Sequence, residues 1–497
     1  MLEGFLNAIT YQSVAAEIGG VIIGIIFGAI PGLTATLGIA LFVPVTFLMS
    51  PEHGMIMLGG IYSGGIFGGS ISAILINIPG TPASIVTSWE GHAMARAGKA
   101  PFALALAAMS SGIGGILAAI AVLFLTPILS SFALSFGSPE YCALLIFSFT
   151  IVIVMLETPL ASNLFGCFVG LLIVTIGLDP VIGTPRFTFG VVELYSGFNL
   201  VAVLIGFFCM SQAVVLALNS LRPDKGGEII FDGKSPYAEL LRVVPTRIVT
   251  YLRSAVTGVF LGILPALGPV ETPFISYALE KRFNKRNEKF GKGSVSGLIA
   301  SETSISANVG GSLIPLISLG IPGSGAAAVF IGALTLHGLQ PGPMLFANQP
   351  TLIYSFFWGF LILNIFMLFF GVFAARYCAF VLKIPKFVLA TFVAAFSILG
   401  TFAIQNNMFD VFVMLGATAF ALWFQALRIS LLPVVMAVIL GPLFEQQIAV
   451  LNTSYSSVGE VLQRPAAVVF LAVSVLMLGF RLVRGTSRSG MPEQTEV

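Results

Sequence analysis

Residues 75–84 read LINIPGTPAS, and residues 319–328 read LGIPGSGAAA. Each stretch puts Ile-Pro-Gly, then Thr or Ser, inside a long apolar run. Proline lacks a backbone N–H, and glycine leaves helical angles at little steric cost. The same four-residue device therefore opens a hydrophobic helix twice. What surrounds the two openings decides the fold.

Of 497 residues, 57% are hydrophobic and only 9% are charged, against about 25% charged in soluble domains. Mean hydropathy is +1.02. Apolar runs of about 20 residues, the length that crosses a bilayer core, recur at 102–126, 200–218 and 351–375. The composition predicts an all-α polytopic membrane protein and argues against a large soluble core. A net charge of +2 gives no attraction for nucleic acid. Cys142, Cys167, Cys209 and Cys378 all sit in apolar segments without CxxC spacing, so they read as buried small hydrophobes. His53, His92 and His337 form no ligand cluster, so no metal cofactor is expected. No P-loop occurs, so ATP hydrolysis by this chain is not expected. The start lacks the basic region and cleavage site of a secretory signal, so the N-terminus is expected to be retained.

The chain repeats itself. Gly24–Leu33 (GIIFGAIPGL) matches Gly258–Leu267 (GVFLGILPAL), and Gly68-Gly69-Ser70 matches Gly310-Gly311-Ser312. Ile78-Pro79-Gly80 then matches Ile321-Pro322-Gly323, with one residue inserted. Three matches in one order define a first membrane repeat within 1–219 and a second, with an extra C-terminal helix, within 254–482. Between them, 220–253 reads as a cytoplasmic linker, and 483–497 as a cytoplasmic tail.

Charge sets the orientation. Cytoplasmic loops are enriched in Lys and Arg, which places both the linker and KRFNKRNEKFGK (281–292) inside. The segment between them must enter and turn back, at the break opened by Pro265. The first half mirrors this: the ends flanking Pro31-Gly32 lack basic residues and should lie outside. The loop holding Arg96 and Lys99 should be inside, and 337–343, which has no Lys or Arg, outside. The halves are thus expected to be inverted-topology repeats with broken, re-entrant helices, as in secondary transporters, with roughly 12 to 15 membrane segments in all.

Freed backbone groups in hydrocarbon must be buried in protein or line a cavity. The helix restarting after each break offers N–H groups to an anion, and the carbonyls before the proline can hold a cation. Asn77, Gly80, Thr81, Gly323, Ser324 and Asn308 are therefore the candidate substrate or ion contacts. Thr34 and Glu302 join them more weakly, and Pro31, Gly32, Pro79, Pro265 and Pro322 are the structural breaks. Carbonyl and amide oxygens near Asn77, Gly320 and Asn308 are the candidate ligands for Na+. Glu302 is an ionisable residue at membrane depth, although its place ten residues past Lys292 leaves an interface position open. No Lys or Arg lies in any break, so an anionic substrate needs co-bound Na+ or H+ as counter-charge. The two breaks are expected to meet halfway across the lipid.

PGLTATLGIALFVPVTF (31–47), GGSISAILINIPGTPASIVTSWEGH (68–92) and GGSLIPLISLGIPGSGAAAVFIGALTLHGLQPGP (310–343) closely resemble the large membrane subunit of tripartite tricarboxylate transporters, the TctA family. The resemblance spans nearly the whole chain. It implies a multi-pass protein of the bacterial cytoplasmic membrane that imports citrate or another carboxylate on an ion gradient, generally Na+. It also implies a small four-helix membrane subunit (TctB type) and a periplasmic substrate-binding protein (TctC type) as partners; a homodimer stays open. The chain departs from the family where Ile305 and Ser306 replace two Asn and where an Asp-Gly pair becomes Glu90-Gly91. An intramembrane serine protease, with Ser324 as nucleophile and His337 as base, is the alternative of a different class, and a channel is another.

Overall fold

The structure, a computed structural model, describes residues 1–156, 158–179, 182–220, 237–265, 267–378, 384–455, 460 and 463–484. Most of the central linker, residues 221–236, and the tail from 485 lie outside the described residues. In chain order the helices are α1 (Leu2–Ala8), α2 (Tyr11–Ala29), α3 (Ala35–Thr46), α4 (Pro51–Ile76), α5 (Ile85–Met94), α6 (Ala100–Ala133), α7 (Ser138–Met155) and α8 (Leu160–Val174). A two-residue antiparallel pair, Gly177–Leu178 with Pro185–Arg186, follows. Then come α9 (Leu200–Ile205), α10 (Ser211–Asn219), α11 (Tyr237–Val243), α12 (Ile248–Ile263), α13 (Thr272–Phe283), α14 (Val295–Leu319), α15 (Gly325–Leu336) and α16 (Pro343–Asn348). The last are α17 (Pro350–Cys378), α18 (Lys386–Gln405), α19 (Met408–Ala426), α20 (Leu432–Ser454) and α21 (Pro465–Arg484).

Among the described residues, ten helical spans are long and apolar enough to cross a membrane, and α3, α8 and α15 are shorter apolar helices. Helix α14 has the length of a span and not the composition. Its 25 residues include Glu302, Asn308 and seven Ser or Thr. It avoids the cost of polar groups in lipid by burying every residue from Ser296 to Ser318 in protein.

The chain forms two compact units, and they cut across the sequence halves. Met1–Leu134 with Phe198–Trp423 makes the first, and Ser135–Gly197 with Phe424–Val497 the second. In the second unit α7 packs on α20 and α21, and α8 on α20. Arg186, in the short strand pair, bonds to Asp179 at 3.2 Å and to Glu445 of α20 at 2.5 Å.

The first unit holds every break. Its core is two glycine-lined helix pairs. In α2–α4, a Cβ on Gly24 would stand 2.5 Å from the Ile61 carbonyl oxygen. In α12–α14, a Cβ on Gly258, the matching residue, would stand 2.4 Å from the Ser304 carbonyl oxygen. Both pairs close to backbone contact because small residues let them. Helices α4 and α14 also meet each other: Tyr62 reaches Ser312, and Ser70 reaches Glu302. The α4 number rises by eight as the α14 number falls by ten, so these two sequence-matched helices run antiparallel.

Candidate functional site

Each break is a return rather than a simple kink. Helix α4 is capped by Ser50, carries Pro51 in its first turn, and runs 26 residues to Ile76. Asn77 then takes a left-handed conformation, φ 57°, which Asn tolerates better than most residues. Within four residues the chain has folded back, and the Gly80 N–H donates to the Gly69 carbonyl at 3.1 Å. Gly69 lies seven residues before the end of α4, about 10 Å back along it. Only glycine fits at 80: a Cβ would stand 2.1 Å from the Gly28 carbonyl oxygen. Thr81 then precedes a short turn at Pro82–Ser84, and α5 begins.

The second break repeats this. Gly320 ends α14 with φ 74°. A Cβ on Gly323 would meet the Gly262 carbonyl oxygen at 2.8 Å and the Ser312 Cβ at 2.9 Å. Gly262 is the sequence partner of Gly28, so this contact is matched in the two halves; on the helix before each break, Gly80 meets Gly69 and Ser72, and Gly323 meets Ser312. Ser324 caps α15 by accepting the Ala327 N–H at 3.2 Å.

The chemistry between the breaks is hydroxyl and carboxyl. Glu302 is 1% exposed. Ser70 of α4 donates to its Oε1 at 2.6 Å, Thr87 of α5 donates to the same oxygen, and Ser111 of α6 donates to Oε2 at 2.8 Å. Thr81, Ser84 and Ser70 form a line leading to it, with oxygen separations of 3.2 and 3.3 Å. On the other side, the Tyr62 hydroxyl lies 2.7 Å from Ser324 Oγ and 3.4 Å from Ser312 Oγ. Among the described residues, no Lys or Arg hydrogen-bonds to either group.

Asn308 is fully buried. Its Nδ2 donates to the Leu267 carbonyl at 2.9 Å and to Thr272 Oγ1 at 2.8 Å. A carbonyl can only accept, so this contact fixes which amide atom is the nitrogen. Among the described residues its buried Oδ1 has no donor, and the Ser306 hydroxyl has no partner. Such an acceptor calls for a cation or a donating group.

Several expectations are corrected. The two breaks are reached from different levels of α4: Tyr62, which touches Ser324, and Ser70, which touches Ser84, stand eight residues apart, about 12 Å. They are joined through α4 and α14 side chains. The Gly80 N–H is not free for an anion, because Gly69 takes it. Asn77 is exposed rather than gathered with the buried residues. Thr34 is half-buried and caps α3, accepting the Leu37 N–H at 3.2 Å. Glu302 is enclosed by α4, α5 and α6 rather than exposed at the protein surface. Of the remaining break residues, Gly320, Pro322 and Pro265 are buried, Pro31 and Pro79 half-buried, and Gly32 exposed. Tyr62 and Ser111 were missed; the one signal for Tyr62 is a phenol in the Gly-Ile run GGIYSGGIFGG.

A protease reading fails on geometry. Ser324 pairs with Tyr62, while His337 lies past the far end of α15, about 20 Å along the helix, with Nε2 unpartnered.

A family model described as the tripartite tricarboxylate transporter TctA family matches residues 14–436. The chain belongs to this family. An "Uncharacterized 52.8 kDa protein in TAR-I ttuC' 3'region" of Agrobacterium vitis is 33% identical over 452 residues, 90% of this chain and 88% of that protein. A second protein of that organism, in its TAR-II ttuC' 3'region, is 30% identical over 191 residues, 38% of this chain and 79% of its own length. A manganese transporter of Eremococcus coleocola aligns over 96% of this chain and 95% of its own at 12% identity. Its TM-score of 0.14 carries no argument about fold. The TctA-family chain is thus a multi-pass membrane protein of a transport system with further subunits, and a transporter rather than an enzyme.

Proposed function

We propose that this chain is the large transmembrane subunit of a binding-protein-dependent secondary transporter in the bacterial inner membrane. It imports citrate or another di- or tricarboxylate by alternating access, coupled to a cation gradient, with Na+ the expected ion. Its partners are a TctB-type small membrane subunit and a TctC-type periplasmic protein that delivers the substrate. The two halves act as inverted repeats, and the breaks at 77–81 and 320–324 flank the path.

The observation that carries this reading is the pair of chain returns leading to buried hydroxyls and one buried carboxyl, with no basic side chain hydrogen-bonded to those groups among the described residues. A carboxylate held there needs a mobile cation to balance it. The Oδ1 of Asn308, without a donor among the described residues, supports a Na+ ligand at the 267–272 segment that Asn308 holds. Na+ is a co-substrate here, not a resident cofactor.

The test is uptake of labelled citrate and a panel of carboxylates into vesicles holding all three subunits. Saturable uptake that requires Na+ and falls at least about tenfold in Asn308→Ala is expected, the worth of one lost ligand in an ion site. Non-saturable flux without a counter-ion would favour a channel and overturn the proposal.

A further inference from the structure

We propose that Glu302 is a proton-carrying carboxyl, loaded through the hydroxyl line that starts at the first break. The proposal deepens the transporter reading and rests on it. Thr81 is buried just behind the exposed Asn77 and Ile78. From Thr81 Oγ1 the line runs 3.2 Å to Ser84 Oγ, 3.3 Å to Ser70 Oγ and 2.6 Å to Glu302 Oε1. A hydroxyl both donates and accepts, so each can take a proton on a lone pair and pass its own forward. A hydronium ion at the break gives up one O–H proton to Thr81 Oγ1 and is left as water. The protons of Thr81, Ser84 and Ser70 each move one oxygen on, and the last forms an O–H bond on Glu302. The reverse sequence discharges it, and no other bond changes.

The surroundings favour a proton over a metal ion. Both carboxyl oxygens already touch hydroxyl oxygens at 2.6 and 2.8 Å. An ion taking ligands at about 2.3–2.6 Å does not fit between such pairs. The titratable groups on neighbouring elements are turned elsewhere. Glu90 of α5 accepts from Tyr277 of α13 and from the Gly291, Gly293 and Ser294 N–H groups. Tyr251 of α12 faces Ser110 of α6, Tyr62 of α4 faces Ser324, and Arg253 pairs with Glu280. Among the described residues, no fixed cation hydrogen-bonds to Glu302, so its counter-charge has to arrive and leave.

Infrared difference spectroscopy of the purified full chain in lipid nanodiscs tests this without any substrate. Expected is a protonated-carboxyl band that rises reversibly as pH falls and is missing in Glu302→Gln. Ser84→Ala leaves the three direct donors in place; it should keep the band but slow its exchange with D2O about tenfold or more. A titrating band unchanged in Glu302→Gln would overturn the proposal. So would exchange in Ser84→Ala as fast as in the natural chain, a result readable even if Glu302→Gln does not fold. A band abolished by Na+ at every pH would make the site a Na+ site and overturn it too. A chain that imports citrate but lacks the band keeps the transporter reading and loses this one. The band in a chain that imports no carboxylate does the reverse.

Discussion

The breaks at 77–81 and 320–324 are built alike and surrounded differently. Each begins with a left-handed residue, Asn77 or Gly320, and folds back onto its own helix. Each then packs a glycine on the carbonyl of a matching glycine, 28 or 262. Yet Asn77 and Ile78 are exposed, Ile78 by 48%, while residues 320–324 are all buried. A Cβ on Gly320 would stand 2.9 Å from the Pro341 carbonyl oxygen, so the 338–342 loop closes over the second break. The first break leads to a carboxyl, Glu302; the second leads to a phenol, Tyr62.

The helices leaving the breaks also end differently. Helix α5 is anchored by Glu90 to the loop before α14, through three backbone N–H groups and Tyr277. Helix α15 ends at His337, whose Nε2 faces Gly54 at the start of α4 and has no hydrogen-bond partner. Matched glycines thus shape both returns, and a few unmatched side chains give the two breaks different surroundings. The helix after the first break is latched and that break leads to the carboxyl of Glu302 on α14; the second break is covered and leads to the phenol of Tyr62 on α4.

The largest expected effect is steric. Gly80→Ala forces a methyl to 2.1 Å from a backbone oxygen that cannot swing away, while Gly323→Ala needs relief of a 2.8 Å contact. Overpacking of this kind costs about 1–3 kcal/mol or more. Gly80→Ala should lower the thermal midpoint of the purified chain further than Gly323→Ala and abolish uptake; equal shifts would show that the two returns are equally tight.

Next is the latch. Glu90→Ala leaves the buried Tyr277 hydroxyl and Ser294 N–H without this acceptor, at about 1–3 kcal/mol per unsatisfied group. Trypsin should then cut at Lys289 or Lys292 faster than in the natural chain, and His337→Ala should change no cleavage rate. Equal protection in both variants would remove the distinction between the two ends.

The smallest effect belongs to Tyr62→Phe. It removes the hydroxyl shared with Ser324 and Ser312 but leaves Ser324 capping Ala327. About 0.5–1.5 kcal/mol of stability should be lost in chemical denaturation. A loss matching Glu302→Ala would mean that phenol and carboxyl are equivalent.

Much of this was legible in the sequence. The Ile-Pro-Gly stretches marked both breaks, because a break depends on local chemistry; the matched glycines marked a repeat, and that they line the α2–α4 and α12–α14 contacts is a tertiary fact. The doubling back was not legible. It depends on the Gly80 N–H finding Gly69 and on Gly28 lying alongside, which are tertiary facts. Counting residues from Lys292 left Glu302 free to sit at a surface; only the packing of α4, α5 and α6 buries it. Asn77 looked like a ligand because an amide beside a break suits an ion, and its place was decided instead by the left-handed turn it makes. Tyr62 and Ser111 carried no spacing signal, since their partners are 262 and 191 residues away.

The central claim is that a carboxylate is held between these breaks with mobile cations as its balancing charge. Equilibrium binding of citrate to the purified three-subunit transporter, measured by calorimetry over a range of Na+ concentrations at fixed pH, tests it most directly. Affinity should climb with Na+, and bound citrate should tighten Na+ by the same factor, as linkage requires. Citrate binding of equal strength with and without Na+ at every pH would contradict the account.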